Sequence, residues 1–292
     1  MGESGSGKTM TALSLLRLVP EPGKISGKIL YGEKDVLQMA DDEIREFRGN
    51  EVAMIFQDPM TSMNPVLRVG FQIEEAMDAH QRFTRQQSRE RVVPMLQRVR
   101  IPAAKDRVKD FPHQFSGGMR QRAMIAMGVS NEPSLLVADE PTTALDVTVQ
   151  ASIIELLRDL SRELRAAVIL ITHNMALVAS LCDRVVVMYA GRIVEEGPTR
   201  AIFKNPQHPY TWSLLRSMPR VDEKVKERLV SIKGVPPDLS RPPAGCKFHP
   251  RCRFRIDKCF TEEPDLDEVG PGQLARCWVL MKNVQNPEAA AQ

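Results

Sequence analysis

Short apolar runs separated by longer amphipathic stretches set the rhythm of this chain. Val52–Phe56, Leu135–Ala138, Val168–Thr172 and Val185–Tyr189 are dominated by aliphatic residues and have the length of strands buried on both faces. Between them, Val147–Leu164 and Met175–Leu181 read as helices. Thr9–Val19 also reads as a helix, with Leu13, Leu15 and Leu16 ahead of a stopping Pro20. Residues 25–31 read as strands around a glycine turn, and residues 70–130 as mostly helical with charged faces around Ser88–Arg100. Strands alternating with helices predict an α/β fold in which a parallel sheet is covered on both faces.

Proline becomes frequent after about residue 205, which places a boundary near Lys204. A small extension over 205–285 and a frayed tail, Asn286–Gln292, are expected beyond it. No apolar run reaches the roughly 18–20 residues that span a bilayer, and residues 2–9 form a glycine-rich polar loop rather than a targeting segment. A cytosolic chain is expected, with any membrane role exerted through partners. Composition adds little to this picture. The 292 residues are 42% hydrophobic, and 40 basic against 37 acidic residues leave +3, too mild a balance to argue for nucleic acid or direct membrane binding.

The loop itself carries chemistry. Gly2, Glu3, Ser4, Gly5, Ser6, Gly7, Lys8 and Thr9 match G-x-x-x-x-G-K-[ST]. Small residues there let successive backbone N–H groups converge on the phosphates of a nucleotide. Lys8 supplies a positive charge to the β- and γ-phosphates, Thr9 a hydroxyl to Mg²⁺, and the following helix points its N-terminus at the anion. Leu135–Glu140 is an apolar strand ending in two acids. Asp139 suits Mg²⁺ held through water, and Glu140 suits a general base acting on the attacking water. Ser116, Gly117 and Gly118 open a helix 23 residues before Asp139 and make a second anion site. Two such sites serve one nucleotide if the chain folds back on itself, or if each site serves the other across a dimer.

Together these segments resemble the nucleotide-binding subunit of the ABC transporters, over residues 2 to about 197. Ser116-Gly117-Gly118 falls on the signature motif, with Met119 where glutamine is commoner. Gln57, in Ile55–Pro59, falls on the Q-loop, Ala144-Leu145-Asp146 on the D-loop, and His173, 33 residues after Glu140, on the switch histidine. The resemblance implies a P-loop NTPase core with a RecA-like parallel sheet over 1–204 and a helical subdomain over about 70–130. It implies ATP and Mg²⁺ as ligands, with Gln57 joining Thr9 and Asp139 around the metal, and Glu140, His173 and Gln57 in catalysis. Two subunits, identical or not, would close head to tail so that each ATP lies between Lys8 of one and Ser116 of the other. The family's phosphate loop follows an antiparallel β-layer, an adenine-stacking aromatic and a central strand. This chain is expected to lack that layer, to leave neighbouring strands with unpaired edges, and to bind ATP poorly.

Asn205–Thr211, Leu214-Leu215, Pro219 and Gly234–Asp238 resemble the C-terminal region of oligopeptide and dipeptide permease ATPases, which nickel-importer relatives share. That resemblance implies peptide uptake at the cytoplasmic face of the plasma membrane, with two transmembrane permease subunits and an extracytoplasmic binding protein as partners. Nickel import, or a non-transport ABC role, is the alternative. Cys246, Cys252, Cys259 and Cys277 follow with spacing C-x5-C-x6-C-x17-C. Such a set suits a [4Fe–4S] cluster, which the family resemblance associates with the pattern, a tetrahedral zinc, or reduced structural thiols. His249 is an alternative ligand, against which His249-Pro250 reads as a turn. Arg251, Arg253, Arg255 and Lys258 flank the thiols and are expected either to lower their pKa or to form a solvated basic face.

Overall fold

Three of the buried runs pair into one parallel sheet. In this computed structural model, which describes residues 1–80, 83–143, 145–217 and 232–285, the chain divides into two compact units. The first is Thr9–Ile171. After the helix Lys8–Leu15 comes a small antiparallel ribbon of β1 (Leu30–Tyr31) and β2 (Lys34–Asp35). Its main sheet runs β3 (Val52–Ile55), β4 (Leu135–Asp139), β5 (Ala167–Ile171) in that order. Side chains on a strand alternate between faces, and β4 divides its residues accordingly. Leu136 and Ala138 join a core built with the helices Val69–Asp78, Arg85–Arg98, Gly117–Val129 and Val147–Leu164. Val137 joins the opposite core with Ala12, Leu16, Ile44 and Phe47. β5 is the edge of this sheet, and its Val168 and Ile169 are exposed.

The second unit joins Met1–Lys8 to Thr172–Gln292. Its sheet is antiparallel, in the order β6 (Arg184–Tyr189), β7 (Arg192–Pro198), β9 (Gln273–Ala275), β8 (Asp267–Gly270). Ala190 and Gly191, both at positive φ, turn β6 into β7, the conformation that a tight two-residue hairpin demands. Met188 N–H donates to Met1 O at 2.7 Å, so the chain enters the glycine loop alongside β6. Tyr189, Tyr210 and Phe248 pack tilted and edge-to-face against one another, with ring centroids 4.7 to 5.4 Å apart. Glu195 of β7 is fully buried and accepts from Gln207 N–H (2.6 Å), His208 N–H (3.0 Å) and Gln273 Nε2 (2.8 Å). Burial pushes its carboxyl pKa up, and the donors pull it back.

The helices Val147–Leu164 and Met175–Leu181 lie where the periodicity placed them, and the strands lie within one residue of expectation, but Val185–Tyr189 pairs antiparallel with β7 instead of joining the parallel sheet. Elsewhere the structure differs. The first helix ends at Leu15 rather than Val19, because the Arg48 guanidinium donates to Leu16 O (2.8 Å) and Arg17 O (2.9 Å). Arg17 then turns the chain at positive φ. Of residues 25–31 only Leu30–Tyr31 is strand. Strands β7, β8 and β9 were not expected. Residues on both sides of Lys204 meet in this sheet: β9 pairs with β7, and Glu195 binds the turn at Gln207-His208. Pro219 and Asn286–Gln292 lie outside the described residues.

Replacing Glu195 by Ala leaves buried N–H donors without an acceptor, at a cost of about 3 kcal/mol. The melting midpoint is expected to fall by roughly 6–10 °C, as measured by circular dichroism, whereas Glu196→Ala on the half-buried neighbour should shift it by a third of that or less.

Candidate functional site

The glycine loop has the shape its sequence demands. Gly2, Gly5 and Gly7 sit at positive φ (154°, 76° and 96°), where side chains are disfavoured, and a side chain at Gly2 would run into the Met188 carbonyl. Lys8 is buried and folds over the loop, with Nζ donating to Gly2 O and Glu3 O at 2.9 Å each and lying 3.4 Å from Ser6 Oγ. Those bonds pre-position its charge at the loop mouth. The β6–β7 turn supports the loop from behind through Gly191 N–H to Ser6 O at 3.1 Å. Ser4 and Gly5 at the loop's tip are exposed, as is Thr9 in the first turn of the helix Lys8–Leu15. In the same unit, Thr172 is buried and His173 exposed. Thr172 Oγ1 accepts from Asn174 N–H at 3.0 Å, and Asn174 caps the helix Met175–Leu181.

The other residues predicted for the nucleotide site lie in the unit Thr9–Ile171. Ile55 is level with Ala138 in the parallel register, so Gln57 comes level with Glu140 just beyond the strand ends. Gln57 Nε2 donates to Glu140 Oε2 at 3.3 Å, and Thr143 Oγ1 donates to the same oxygen at 2.9 Å. Thr143 was not singled out from the sequence. Asp139 is buried at the end of β4, and Glu140 follows at positive φ with its N–H bound to Ile171 O at 2.9 Å. Ser116 caps the helix Gly117–Val129 by accepting from Met119 N–H. A side chain at Gly118 would meet Val149 at 2.8 Å, and one at Gly117 would meet Leu145 at 3.4 Å, so the small residues let this helix approach the start of Val147–Leu164. Asp146 caps that second helix by accepting from Val149 N–H at 3.0 Å. Ala144 lies outside the described residues. The hydroxyl, carboxylate and amide oxygens of Thr9, Asp139 and Gln57 are hard donors of the kind Mg²⁺ prefers.

The four C-terminal thiols fit a metal less well. Cys246, Cys252, Cys259 and Cys277 line one pocket together with Phe248 and Trp278. Yet among the described residues no three His, Cys, Asp or Glu side chains are grouped to hold a metal ion, and His249 Nδ1 donates to Cys246 O. Nor do the basic neighbours set the direction of the thiol pKa values: Arg255 pulls Cys252 down, but burial outweighs it. Burial pushes Cys252 up to about 12 and also raises Cys246 and Cys277. The basic side chains have other partners: Arg251 binds Glu3, Arg255 binds backbone carbonyls, and Lys258 lies 3.6 Å over the Trp278 ring. Among the described residues no helix is long and apolar enough to cross a membrane.

With its thiol raised from an ordinary 9.0 to about 12, Cys252 stays protonated at neutral pH. At pH 7.5, iodoacetamide is expected to leave Cys246, Cys252 and Cys259 unmodified in native protein and to label them once urea unfolds it, read by peptide mass spectrometry. Because the folded pKa is raised, stability holds below pH ~9 and falls as pH climbs from there toward 12, while the unfolded thiol ionises first.

Comparison with known proteins agrees with this layout. Residues 1–143 match the family model of the ABC transporters, and residues 194–259 match the C-terminal region of the oligopeptide/dipeptide transporters. The oligopeptide transport ATP-binding protein OppD of Bacillus subtilis is 46% identical over 99% of this chain and 82% of its own length. OppD of Escherichia coli is 47% identical over 95% and 82%. Among solved structures, a dimeric ATP-binding cassette in a post-hydrolysis state with ADP and Pi superposes with a TM-score of 0.59 at 27% identity, covering 68% of this chain and 84% of that one. A cassette from the cbiONQ transporter complex of Clostridium perfringens gives the same TM-score over 70% and 77%. Glycine loop, buried acid-tipped strand, capped Ser-Gly-Gly helix and peptide-transporter C-terminal region occur in one chain, which belongs to the family of oligopeptide ABC transporter ATP-binding subunits.

Proposed function

We propose that this chain energises peptide uptake by hydrolysing ATP, with Glu140 as general base. The observation that carries the assignment is the placement of Glu140 at the tip of a strand buried on both faces, with one carboxylate oxygen held by Gln57 and Thr143. A carboxylate fixed in this way is oriented before water arrives, and orientation is most of what a general base contributes beyond its pKa. The loop N–H groups and Lys8 take the β- and γ-phosphates. Thr9, Asp139 and Gln57 would hold Mg²⁺, which when bound supplies positive charge against the phosphate oxygens. Ser116, Gly117 and Gly118 present a helix N-terminus and unencumbered backbone to the nucleotide of a second subunit, and Asp146 borders that contact. His173 serves as the polar switch beside the γ-phosphate.

The partners that fit are a second ATPase subunit, two permease subunits through which the chain sits on the cytoplasmic face of the membrane, and an extracytoplasmic binding protein that delivers peptide. Closure of the ATPase pair follows from tighter binding of ATP by the closed state than by the open one. No step runs through the C-terminal thiols. A [4Fe–4S] cluster there has in its favour that all four line one pocket. Iron, sulfide and zinc analysis of anaerobically purified protein decides between cluster, zinc and reduced thiols.

Glu140→Gln is expected to cut phosphate release by about 100-fold or more while leaving ATP binding intact. Lys8→Ala is expected to lose binding itself. Phosphate release and equilibrium dialysis measure the two, and turnover persisting in Glu140→Gln would remove Glu140 from the role of base.

A further inference from the structure

One acid sits in a loop built for anions. Glu3 lies between Gly2 and the turn closed by Ser6 N–H to Glu3 O, and a carboxylate there opposes the negative phosphates that the loop is shaped to receive. Its charge is met from the far end of the chain. Arg251 donates Nη1 to Glu3 Oε2 at 2.6 Å and Nη2 to Glu3 Oε1 at 3.1 Å, a two-pronged pair linking residues 248 apart. The guanidinium side chain is only 6% exposed, so solvent screens the pair weakly. Arg251 is itself held, with Nε donating to Lys233 O at 3.2 Å and Nη1 to Tyr189 Oη at 3.4 Å. The backbone of the same loop residue is fixed as well, because Glu3 N–H donates to Tyr210 Oη at 2.8 Å. That N–H therefore faces the C-terminal region rather than the loop mouth.

We propose that the C-terminal extension supplies Arg251 as a positioning residue for ATP binding: it neutralises Glu3 and, with Tyr210, draws that residue back, so that the loop presents its N–H groups and Lys8 without an opposing charge. This rests on the reading of Gly2–Thr9 as the phosphate cradle. Arg251 touches neither ATP nor the attacking water, so its effect falls on affinity rather than on the chemical step. The frame that carries it is the Tyr189–Tyr210–Phe248 ring cluster, in which Phe248 lies three residues before Arg251, Tyr189 belongs to β6 and Tyr210 to the helix Pro209–Arg216.

The test is steady-state MgATP turnover by the full chain assembled with its transport partners. Arg251→Gln frees the Glu3 carboxylate and is expected to raise KM for ATP about tenfold, the order expected for one uncompensated charge near a partly buried site, with kcat within about twofold. The double variant Glu3→Gln/Arg251→Gln removes the carboxylate as well and returns KM to within about threefold of wild type. Raising ionic strength shrinks the Arg251→Gln defect, which a purely mechanical strap would not show. Unchanged KM in Arg251→Gln, or a double variant as impaired as the single, overturns the proposal. If Arg251→Gln does not fold, Glu3→Gln alone decides: KM below wild type supports it, because Arg251 is then left as an unopposed positive charge at the loop, and KM unchanged or raised overturns it. Lys8→Ala in the same assay reports on the cradle independently. Normal ATP binding by Lys8→Ala would refute the loop reading itself, whereas lost binding there with an unaffected Arg251→Gln would refute only the role of Arg251.

Discussion

Burial of β4 on both faces is the constraint from which the catalytic arrangement follows. Leu136 and Ala138 belong to one core and Val137 to the other, so the strand cannot slip by one residue without exchanging its two packed faces. Parallel pairing with β3 and β5 fixes it laterally, Ile55 against Ala138 and Asp139 against Ile171. Once that register is set, Asp139 and Glu140 emerge at the carboxyl end of the sheet, where open α/β folds place ligands. Gln57, two residues past Ile55, arrives level with Glu140, two residues past Ala138. The 3.3 Å contact between residues 83 positions apart is thus a consequence of strand register and needs no separate design.

Legibility of the sequence tracks the same physics. A buried strand is nearly all aliphatic, so β3 and β4 could be found from composition; β5 is as aliphatic although its Val168 and Ile169 are exposed at the sheet edge, and the motif loops attached to the strand ends were found with them. β7 could not, because Arg192–Pro198 reads as polar: its buried Glu195 looks like a surface acid until its three N–H partners are seen. The first helix was read as longer than it is because the residue that ends it, Arg48, is distant in sequence and acts through two carbonyls. The thiols show the same limit in electrostatics. Sequence displays the basic neighbours of Cys252 but not its burial, and burial sets the direction of its pKa. Thr143 escaped notice because a lone threonine in a turn carries no pattern, although its hydroxyl holds the proposed base.

The phosphate loop has two supports of different kinds within its unit. One is main chain to main chain: Gly191 N–H to Ser6 O, and Met188 N–H to Met1 O. Such bonds depend on the β6–β7 hairpin and survive most side-chain substitutions. The other is made by side chains, Tyr210 Oη on Glu3 N–H and Arg251 on the Glu3 carboxylate. These come from a segment anchored by Glu195 and by edge-to-face ring packing, and a single substitution can remove either of them. The division matters for what each support can do. Backbone bonds fix the loop's shape, which the positive-φ glycines require to be narrow and invariant. Side-chain bonds act on its charge and on the direction of one N–H without altering that shape. A C-terminal region fastened in this way can tune how strongly the loop attracts nucleotide while leaving the geometry of Glu140 untouched, because no residue of the Gln57–Glu140–Thr143 arrangement belongs to the unit in which Arg251 and Glu3 meet.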